Sequence, residues 1–147
     1  MISFRRLPIA LAMAALACSA QAQSLLALVE QQRTHDPLTG LLNRQGLRHW
    51  VASQSAEEPV VLGMVDLDHF KQINDLHGHG MGDQVIRHLA TLLQACGSEH
   101  CRAARLGGEE FVVVALGSGR GPDLRQMLER LRQQFADTAP QPGATLS

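Results

Sequence analysis

Carboxylates lie at the ends of two β-prone runs in this sequence. Glu109 and Glu110 stand between two apolar stretches, and Asp66 ends the apolar run over residues 60–65. If the strands that carry them pair, the three side chains converge on one place, where their charges need a cation to neutralise them. Oxygen ligands of this kind favour Mg²⁺ or Mn²⁺, and Mg²⁺ completes its shell with water and substrate phosphates. The pattern therefore predicts a divalent metal site and a phosphorylated ligand.

Two glycines precede the glutamates. Gly107 and Gly108 accept the positive φ angles that a tight hairpin turn requires, so the apolar residues on either side are predicted to form two strands joined at this pair. Glycine has no side chain, which leaves room for a ligand to touch the backbone. The hairpin is therefore predicted to present Glu109 and Glu110 at the exit of its turn, beside a ligand.

A second group of residues is suited to binding phosphate. A helix is predicted to begin near Phe70, after the loop that follows Asp66, and the free backbone N–H groups at a helix N-terminus attract anions. Lys71 adds one positive charge. Such a site favours phosphoryl or nucleotidyl transfer, which depends mainly on positioning and charge neutralisation. Asp68 is not assigned to the metal, because a structural cap explains it equally well.

The elements that position these residues follow from hydrophobic periodicity. The apolar run over residues 60–67 predicts a buried central strand, and another strand is predicted to begin at residues 144–147. Apolar residues at helical spacing predict helices over residues 24–35, 41–52, 70–76, 83–96 and around 124–135. Glycines are predicted to interrupt the helical conformation at residues 77–82, and residues 117–122 are predicted to form a loop. This order predicts an α+β sandwich with helices packed on a largely antiparallel sheet, similar to the ferredoxin-like βαββαβ arrangement.

The composition is that of one ordinary globular domain. Of the 147 residues, 45% are apolar and the formal net charge is -1, which argues against a nucleic-acid partner and against an acidic tail for cationic partners. Aromatic residues make up 3% and tyrosine is absent, which also argues against base stacking. The three cysteines, Cys18, Cys96 and Cys101, lack the CxxC spacing of a structural zinc site.

The N-terminal segment has the three parts of a secretory signal. Arg5 and Arg6 precede an apolar run over residues 7–17, and residues 20–22 have the small-x-small pattern that signal peptidase recognises. We therefore expect residues 1–22 to be an export signal, residues 23–35 to form a short linker helix, and the protein to be periplasmic. The alternative is an inner-membrane anchor that extends to Val29, although its polar residues suit a spanning helix poorly.

Export would change the chemistry of the cysteines. Cleavage after Ala22 would remove Cys18 and leave Cys96 and Cys101, which could form a disulfide in an oxidising compartment. Alternatively, both are buried thiols that pack as small apolar groups. The sequence leaves both interpretations open.

Four blocks of the sequence resemble the GGDEF domain of diguanylate cyclases. They are DPLTGLLNR at residues 36–44, DLDHFKQIND at 66–75, the pairs GH and GD at 78–79 and 82–83, and RLGGEEF at 105–111. The blocks occur in the family's order and at its separations, so the resemblance covers residues 36–116. It implies a nucleotide-cyclase-like fold for a domain over residues 36–147.

The resemblance implies a reaction and a set of roles. Two GTP molecules would condense to cyclic di-GMP across a homodimer, each 3′-hydroxyl attacking the α-phosphate of the other. Asp66 and Glu110 would hold Mg²⁺ or Mn²⁺ together with the carbonyl of Leu67. Glu109 would share the metal or accept the proton of the 3′-hydroxyl. The residues implied in substrate binding are Phe70, Lys71, Asn74, His79, Asp83, Gly107 and Gly108, among which Asn74 and Asp83 would hydrogen-bond guanine.

The sequence departs from the family pattern in two places. Where many members carry an Arg-x-x-Asp site that binds the product, this chain has Ser98 and Cys101, so product inhibition at that site is not expected. The family's domain continues beyond Ser147 through a strand, a hairpin and a helix, so the domain is expected to be incomplete at its C-terminus, with its last strands missing. Two functional hypotheses follow: a diguanylate cyclase, or a vestigial module that binds GTP or metal without turnover.

Overall fold

The computed structural model describes residues 9–147, with side chains from residue 17 onward. The chain divides into one unit that ends at Arg33 and a second unit over Thr34–Ser147. The described part of the first unit lies in helix α1, Ile9–Thr34. The predicted helix over residues 24–35 was therefore too short. Residues 9–34 contain no proline or glycine and are rich in Ala, Leu and Gln, which favour a continuous helix.

The predicted export signal is only partly covered by the structure. Arg5 and Arg6, which carry its positive charge, lie outside the described residues. Within residues 9–147, no helix combines the length and the apolar character needed to cross a membrane. The apolar side chains near the end of α1 are exposed, namely Leu25, Leu26, Leu28 and Val29.

The second unit is built on a three-stranded antiparallel sheet. Its strands are β1, Val60–Asp66, β2, Cys101–Gly107, and β3, Glu110–Leu116, in the spatial order β1-β3-β2. β3 is buried from its second residue to its last, because it has a strand on each side and apolar clusters on each face. The centre of the sheet is thus the second strand of the hairpin.

Our prediction that residues 60–67 form the buried central strand was wrong. The strand forms at the side of the sheet, and along it only Val65 is buried. Val60, Leu62 and Met64 lie on one face and are 44%, 64% and 59% exposed. A continuous apolar run does not distinguish a central strand from a strand with an uncovered face, because hydrophobicity carries no information about neighbours.

Helices cover both faces of the sheet. Three of them line the larger core: α3, Phe70–His77, α4, His79–Ala95, and α5, Arg120–Thr138. Helix α2, Arg44–Ala52, packs on the opposite face against a smaller cluster. Successive residues of a strand point to opposite faces, so Val112 of β3 faces α2 while its neighbours enter the larger core.

Helix α2 begins later than predicted. It starts at Arg44 instead of residue 41, because the side chain of Asn43 accepts a hydrogen bond of 2.9 Å from the N–H of Gly46 and caps the helix. Leu41 lies before the cap and is buried in the larger core. Its hydrophobicity therefore reports core packing and not membership of the helix.

Helices α4 and α5 begin earlier than predicted. α4 starts at His79 instead of residue 83, since only Gly78, with φ 81°, leaves the helical conformation between α3 and α4. α5 starts at Arg120, inside the segment predicted to be a loop. Pro122 lies in its first turn, where the missing N–H of proline has no helical partner to lose.

The strand predicted to begin at residues 144–147 is present only as an isolated bridge. Leu146 forms an antiparallel bridge with Leu67, and the backbones of Asp66 and Ser147 exchange hydrogen bonds of 2.9 and 3.1 Å. The predicted α+β class, with helices packed on an antiparallel sheet, is confirmed.

Candidate functional site

The sheet brings two of the predicted carboxylates together. Asp66, the last residue of β1, is paired with Glu110, the first residue of β3, in the antiparallel register. Directly opposed residues point to the same face of a sheet, with Cβ atoms roughly 5 Å apart. Both residues are exposed. Their side chains therefore lie side by side on one face of the sheet and are open to a ligand from solvent.

The turn of the hairpin lies one residue later than predicted. β2 ends at Gly107 and β3 begins at Glu110, so Gly108 and Glu109 form the turn. Gly108 has φ 51°, whereas Glu109 does not have a positive φ, which is the pattern of a hairpin turn whose first central residue is glycine. Glu109 thus lies half-buried in the turn itself, and only Glu110 stands at its exit.

An arginine braces this turn. The Nε and Nη2 atoms of Arg105 donate hydrogen bonds to the carbonyl oxygen of Gly108 at 3.0 and 2.7 Å. The Nη1 atom donates to Oδ1 of Asp36 at 3.0 Å, although the two residues are 69 positions apart. Our sequence interpretation assigned no role to either residue. The signal that could have suggested this ion pair is that Asp36 and Arg105 carry opposite charges and each begins one of the four blocks that resemble the family.

The neighbours of Asp36 keep its carboxyl ionised. Burial by itself would raise the pKa of Asp36, but hydrogen bonds from Thr39 and Arg105, together with the charge of Arg105, lower the pKa below its ordinary value of 3.8. Oδ1 accepts from the backbone N–H of Thr39 at 3.0 Å and from its hydroxyl at 2.7 Å. The pair is mostly shielded from water, with 12% of the Arg105 side chain and 18% of the Asp36 side chain exposed.

The two residues after Asp66 anchor the loop to the rest of the domain. Leu67 is 3% exposed, and its side chain packs in the larger core. Only its backbone carbonyl could therefore serve as the metal ligand that the sequence predicts. The backbone N–H of Asp68 donates to the carbonyl of Thr145 at 3.0 Å, and its Oδ2 accepts from the Thr145 hydroxyl at 2.8 Å. Asp68 therefore bonds Thr145 and does not cap α3, whose N-cap residue is His69, so the cap that the sequence offered as an alternative is not what the structure shows.

Helices α3 and α4 bring two predicted substrate-binding residues against one glycine. Gly82 of α4 is buried, and a Cβ atom at this position would overlap Oδ1 of Asn74 and lie 3.1 Å from Cζ of Phe70. The missing side chain leaves the space that Asn74 occupies. Our sequence interpretation gave Gly82 no role of its own. A glycine inside a helix, where alanine is favoured, was the signal that could have found it.

The remaining predicted substrate-binding residues lie near the starts of the same helices. Lys71 is exposed in the first turn of α3, His79 is exposed at the first position of α4, and Asp83 is half-buried one turn later. His69 precedes α3 with φ 56°, a left-handed conformation that no other non-glycine residue within 9–147 adopts. This residue turns the chain sharply between β1 and α3, and so sets where the helix begins relative to Asp66.

The described residues do not form a complete metal cage. Within residues 9–147 there is no group of three or more His, Cys, Asp or Glu side chains arranged to hold a metal ion. Asp66 and Glu110 supply two adjacent carboxylates, and Glu109 is not part of such a group. Mg²⁺ commonly takes one or two carboxylates and completes its shell with water and substrate phosphates. The donor set therefore fits Mg²⁺ or Mn²⁺ bound together with a substrate.

Cys96 and Cys101 are free and half-buried. Burial raises the pKa of both thiols, and the proximity of Cys96 raises the pKa of Cys101 further. The structure shows both thiols reduced and half-buried, and the disulfide expected in an oxidising compartment stays a prediction. Ser98 and Cys101 exchange backbone hydrogen bonds of 3.0 and 3.2 Å and so form the turn that leads into β2.

The chain is similar in sequence to one protein family and to several of its members. The family model described as diguanylate cyclase, GGDEF domain, matches residues 33–145. The chain is 40% identical over 115 residues to diguanylate cyclase DgcP of Pseudomonas aeruginosa, a match that covers 72% of this chain and 16% of that protein. It is 38% identical over 109 residues to a diguanylate cyclase of Vibrio cholerae, covering 69% of this chain and 33% of that protein. The chain thus spans a third or less of the length of these relatives.

Solved structures share the fold. The coiled coil and GGDEF domain of DgcB from Caulobacter crescentus, in complex with c-di-GMP, has a TM-score of 0.82 at 26% identity, covering 94% of this chain and 78% of that chain. A sensory box/GGDEF family protein from the same organism has a TM-score of 0.65 at 35% identity, covering 78% of this chain and 80% of that one. The predicted nucleotide-cyclase-like fold is confirmed by these similarities. Together with the family match over residues 33–145, they show that the chain belongs to the GGDEF domain family.

Proposed function

We propose that this domain is a diguanylate cyclase that condenses two GTP molecules to cyclic di-GMP with Mg²⁺ or Mn²⁺. The observation that carries the proposal is the pairing of Asp66 with Glu110 at the end of the sheet, next to an exposed glycine turn. Relatives named as diguanylate cyclases support it. A pair of neighbouring carboxylates beside open backbone suits Mg²⁺ that is bound together with substrate phosphates.

The metal and the phosphates would bind at the end of the sheet. Asp66 and Glu110 would hold the cation, with the carbonyl oxygen of Leu67 as a further ligand. A bound divalent cation would neutralise the phosphate charge that repels an attacking hydroxyl. The glycines of the turn carry no side chain to block the triphosphate, and Lys71 would add a positive charge from the start of α3.

Each half of the reaction forms one bond and breaks one. The 3′-oxygen of one GTP bonds to the α-phosphorus of the other, and the bond from that phosphorus to the leaving pyrophosphate breaks. Glu109, in the turn, would accept the proton of the 3′-hydroxyl or share in holding the metal. Two such steps close the ring, and one domain binds one GTP. The proposal therefore includes a homodimer in which two sites face each other.

Guanine would be recognised between α3 and α4. Asn74 supplies an amide and Asp83 a carboxylate, and a carboxylate accepts the N–H groups that guanine presents. Phe70 lies beside the same glycine as Asn74 and would contact the nucleotide with its apolar ring. His79, exposed at the start of α4, would line the rim of this pocket.

A second candidate function is the binding of GTP or metal without turnover. Export of the protein, which the N-terminal sequence suggests, would favour it, because little GTP is available outside the cytoplasm. A reporter fused after Thr34 keeps the whole candidate anchor and tests export. Activity of a periplasmic reporter in the soluble fraction supports export, and its activity in the membrane fraction indicates the anchor. Activity of a cytoplasmic reporter refutes both.

One assay distinguishes the two functions. The purified chain is incubated with GTP and either Mg²⁺ or Mn²⁺, the nucleotides are separated and identified by mass spectrometry, and GTP binding is measured by calorimetry. Formation of cyclic di-GMP, rising more steeply than protein concentration and lost in Glu110→Gln, supports the cyclase. Binding without product supports the second function. A folded chain that shows neither binding nor product overturns both.

A further inference from the structure

We infer that Arg105, held by Asp36, is a positioning residue that sets the geometry of the hairpin turn and thereby the placement of Glu109 and Glu110 against the substrate. The inference rests on the proposed function for its catalytic consequence. Its structural part, the bracing of the turn, stands on the hydrogen bonds of Arg105 and can be measured without any turnover.

Arg105 makes contacts in two directions. Two of its donors, Nε and Nη2, converge on the single carbonyl oxygen of Gly108 at 3.0 and 2.7 Å, while Nη1 reaches Oδ1 of Asp36 at 3.0 Å. The planar guanidinium offers donors in a rigid fork, which a lysine ammonium on its flexible stem does not reproduce. The side chain thus connects the turn carbonyl to a fixed carboxylate.

The carboxylate end of this connection is itself immobilised. Oδ1 of Asp36 also accepts two hydrogen bonds from Thr39. The backbone N–H of Asp36 donates to the carbonyl of Leu41, and the carbonyl of Asp36 accepts from the N–H of Gly40, at 2.8 Å each. Leu41 is buried in the larger core. In addition, the backbone N–H of Arg105 donates to the carbonyl of Leu42 at 2.9 Å. The loop over residues 36–42 therefore serves as a firm support.

The turn end needs such a support. The pairing of β2 with β3 is irregular between Arg105 and Gly107, and both Gly107 and Gly108 are exposed with positive φ angles of 152° and 51°. Glycine in such positions has more accessible conformations than any other residue. The carbonyl that Arg105 holds belongs to the residue directly before Glu109. Fixing it restricts the direction in which the chain carries Glu109 and Glu110.

A brace of this kind predicts a specific kinetic effect. The proposed guanine contacts lie on α3 and α4, which Arg105 does not contact through its hydrogen bonds. Loss of the brace should therefore lower the rate of the chemical step by more than it lowers GTP affinity, because misplacement of reacting groups by about 1 Å can cost on the order of a hundredfold in rate. A residue that only stabilised the fold would lower the amount of active protein and leave the turnover of the folded fraction intact.

The experiment compares Arg105→Lys and Asp36→Asn with the wild-type chain. Hydrogen exchange by mass spectrometry follows the amides of residues 105–111, with residues 112–116 of the central strand as a reference for global folding. We expect faster exchange in the turn by about tenfold or more in both variants, with the central strand unchanged, and no further increase in the double variant. We expect kcat for cyclic di-GMP formation to fall by about ten- to a hundredfold, and KM for GTP to rise by a smaller factor than that fall.

The matched control is Arg132→Lys. Arg132 also pairs with a carboxylate, that of Glu129, but on the exposed surface of α5, so both readouts should stay at wild-type values. Unchanged exchange in the turn of Arg105→Lys overturns the inference even if the wild-type chain is inactive. Absence of cyclic di-GMP from the wild-type chain overturns the proposed function alone, because the exchange measurement still decides whether Arg105 braces the turn. If Asp36→Asn fails to fold, Arg105→Lys decides by itself.

Discussion

Asp66 and Glu110 are directly opposed at the end of the β1–β3 ladder, with their carboxylates on the same face of the sheet. Like charges in this relationship repel each other and destabilise a sheet. The same proximity suits a divalent cation, whose charge removes the repulsion. We therefore expect the pair to cost stability in the free protein and, under the proposed function, to contribute affinity for a metal and its phosphate ligand.

We expect Asp66→Asn and Glu110→Gln to have opposite effects on stability and on binding. In the presence of EDTA, each substitution should raise the free energy of unfolding by a few tenths of a kcal/mol, because it removes the repulsion. With Mn²⁺ and GTP, the stabilisation seen in the wild type should be lost, since a ligand stabilises only the state that binds it. Urea unfolding under both conditions measures this. Glu129→Gln on α5 is the control, and a Glu110→Gln variant that Mn²⁺ and GTP still stabilise fully would contradict the assignment.

We expect Gly82→Ala to weaken GTP binding by about fivefold while the chain stays folded. The new Cβ atom would displace the side chain of Asn74, which is flexible enough to move but would lose a hydrogen bond to guanine of about 1 kcal/mol. Calorimetric titration with GTP measures the affinity. Gly80→Ala is the matched control, because a Cβ atom there meets nothing within 4 Å. Equal GTP affinities for the two variants would show that Asn74 does not contact the base.

We expect the contribution of Asp36 to stability to disappear in acid. The pKa of Asp36 in the folded chain lies below its ordinary value of 3.8, so the folded state favours the ionised carboxyl. Its stabilisation is fully present above about pH 4 and is lost as the pH falls through the lower, folded-state pKa. Asp36→Asn should therefore be less stable than the wild type by about 2 kcal/mol at neutral pH, with a gap that narrows below about pH 4. Urea unfolding at a series of pH values tests this, and a gap independent of pH would contradict it.

We expect two leucine substitutions to show which face of the sheet is covered. Leu93 of α4 is 0% exposed, whereas Leu62 of β1 is 64% exposed. Leu93→Ala should lower the free energy of unfolding by about 3 kcal/mol, because it leaves a cavity in the larger core. Leu62→Ala should cost less than about 1 kcal/mol. Denaturant unfolding compares the two. Equal losses would mean that the outer face of β1 is buried in solution, for example against a second copy of the chain.

Most elements of the domain were predictable because their signals are local. The helix at residues 70–77 and the strands on either side of the glycines follow from short patterns of apolar residues and turn residues. The start of α4 was mispredicted because Gly78, Gly80 and Gly82 together suggested a non-helical segment. In the structure only Gly78 breaks the helix, while Gly82 provides close packing against Asn74. A glycine that permits a turn and a glycine that permits close contact look the same in a sequence.

The candidate site was predictable in part. The carboxylates at a strand end and at a hairpin indicated a shared edge of the sheet, and the structure places Asp66 opposite Glu110. The turn position of Glu109 and the brace from Arg105 to Asp36 were not predicted. The roles of the metal-binding and guanine-binding residues stay predictions, which the experiments above test.

The sequence by itself determined the family, through four motifs in order, and the types of the elements, through their hydrophobic periods. Only the tertiary structure decided that β3 and not β1 is central, that Asp66 faces Glu110, and that Arg105 reaches Asp36 across 69 positions of the chain. Periodicity and turn propensity act over a few residues, so they specify local conformation. Strand order, register and distant hydrogen bonds depend on which surfaces pack together, and that depends on the whole chain.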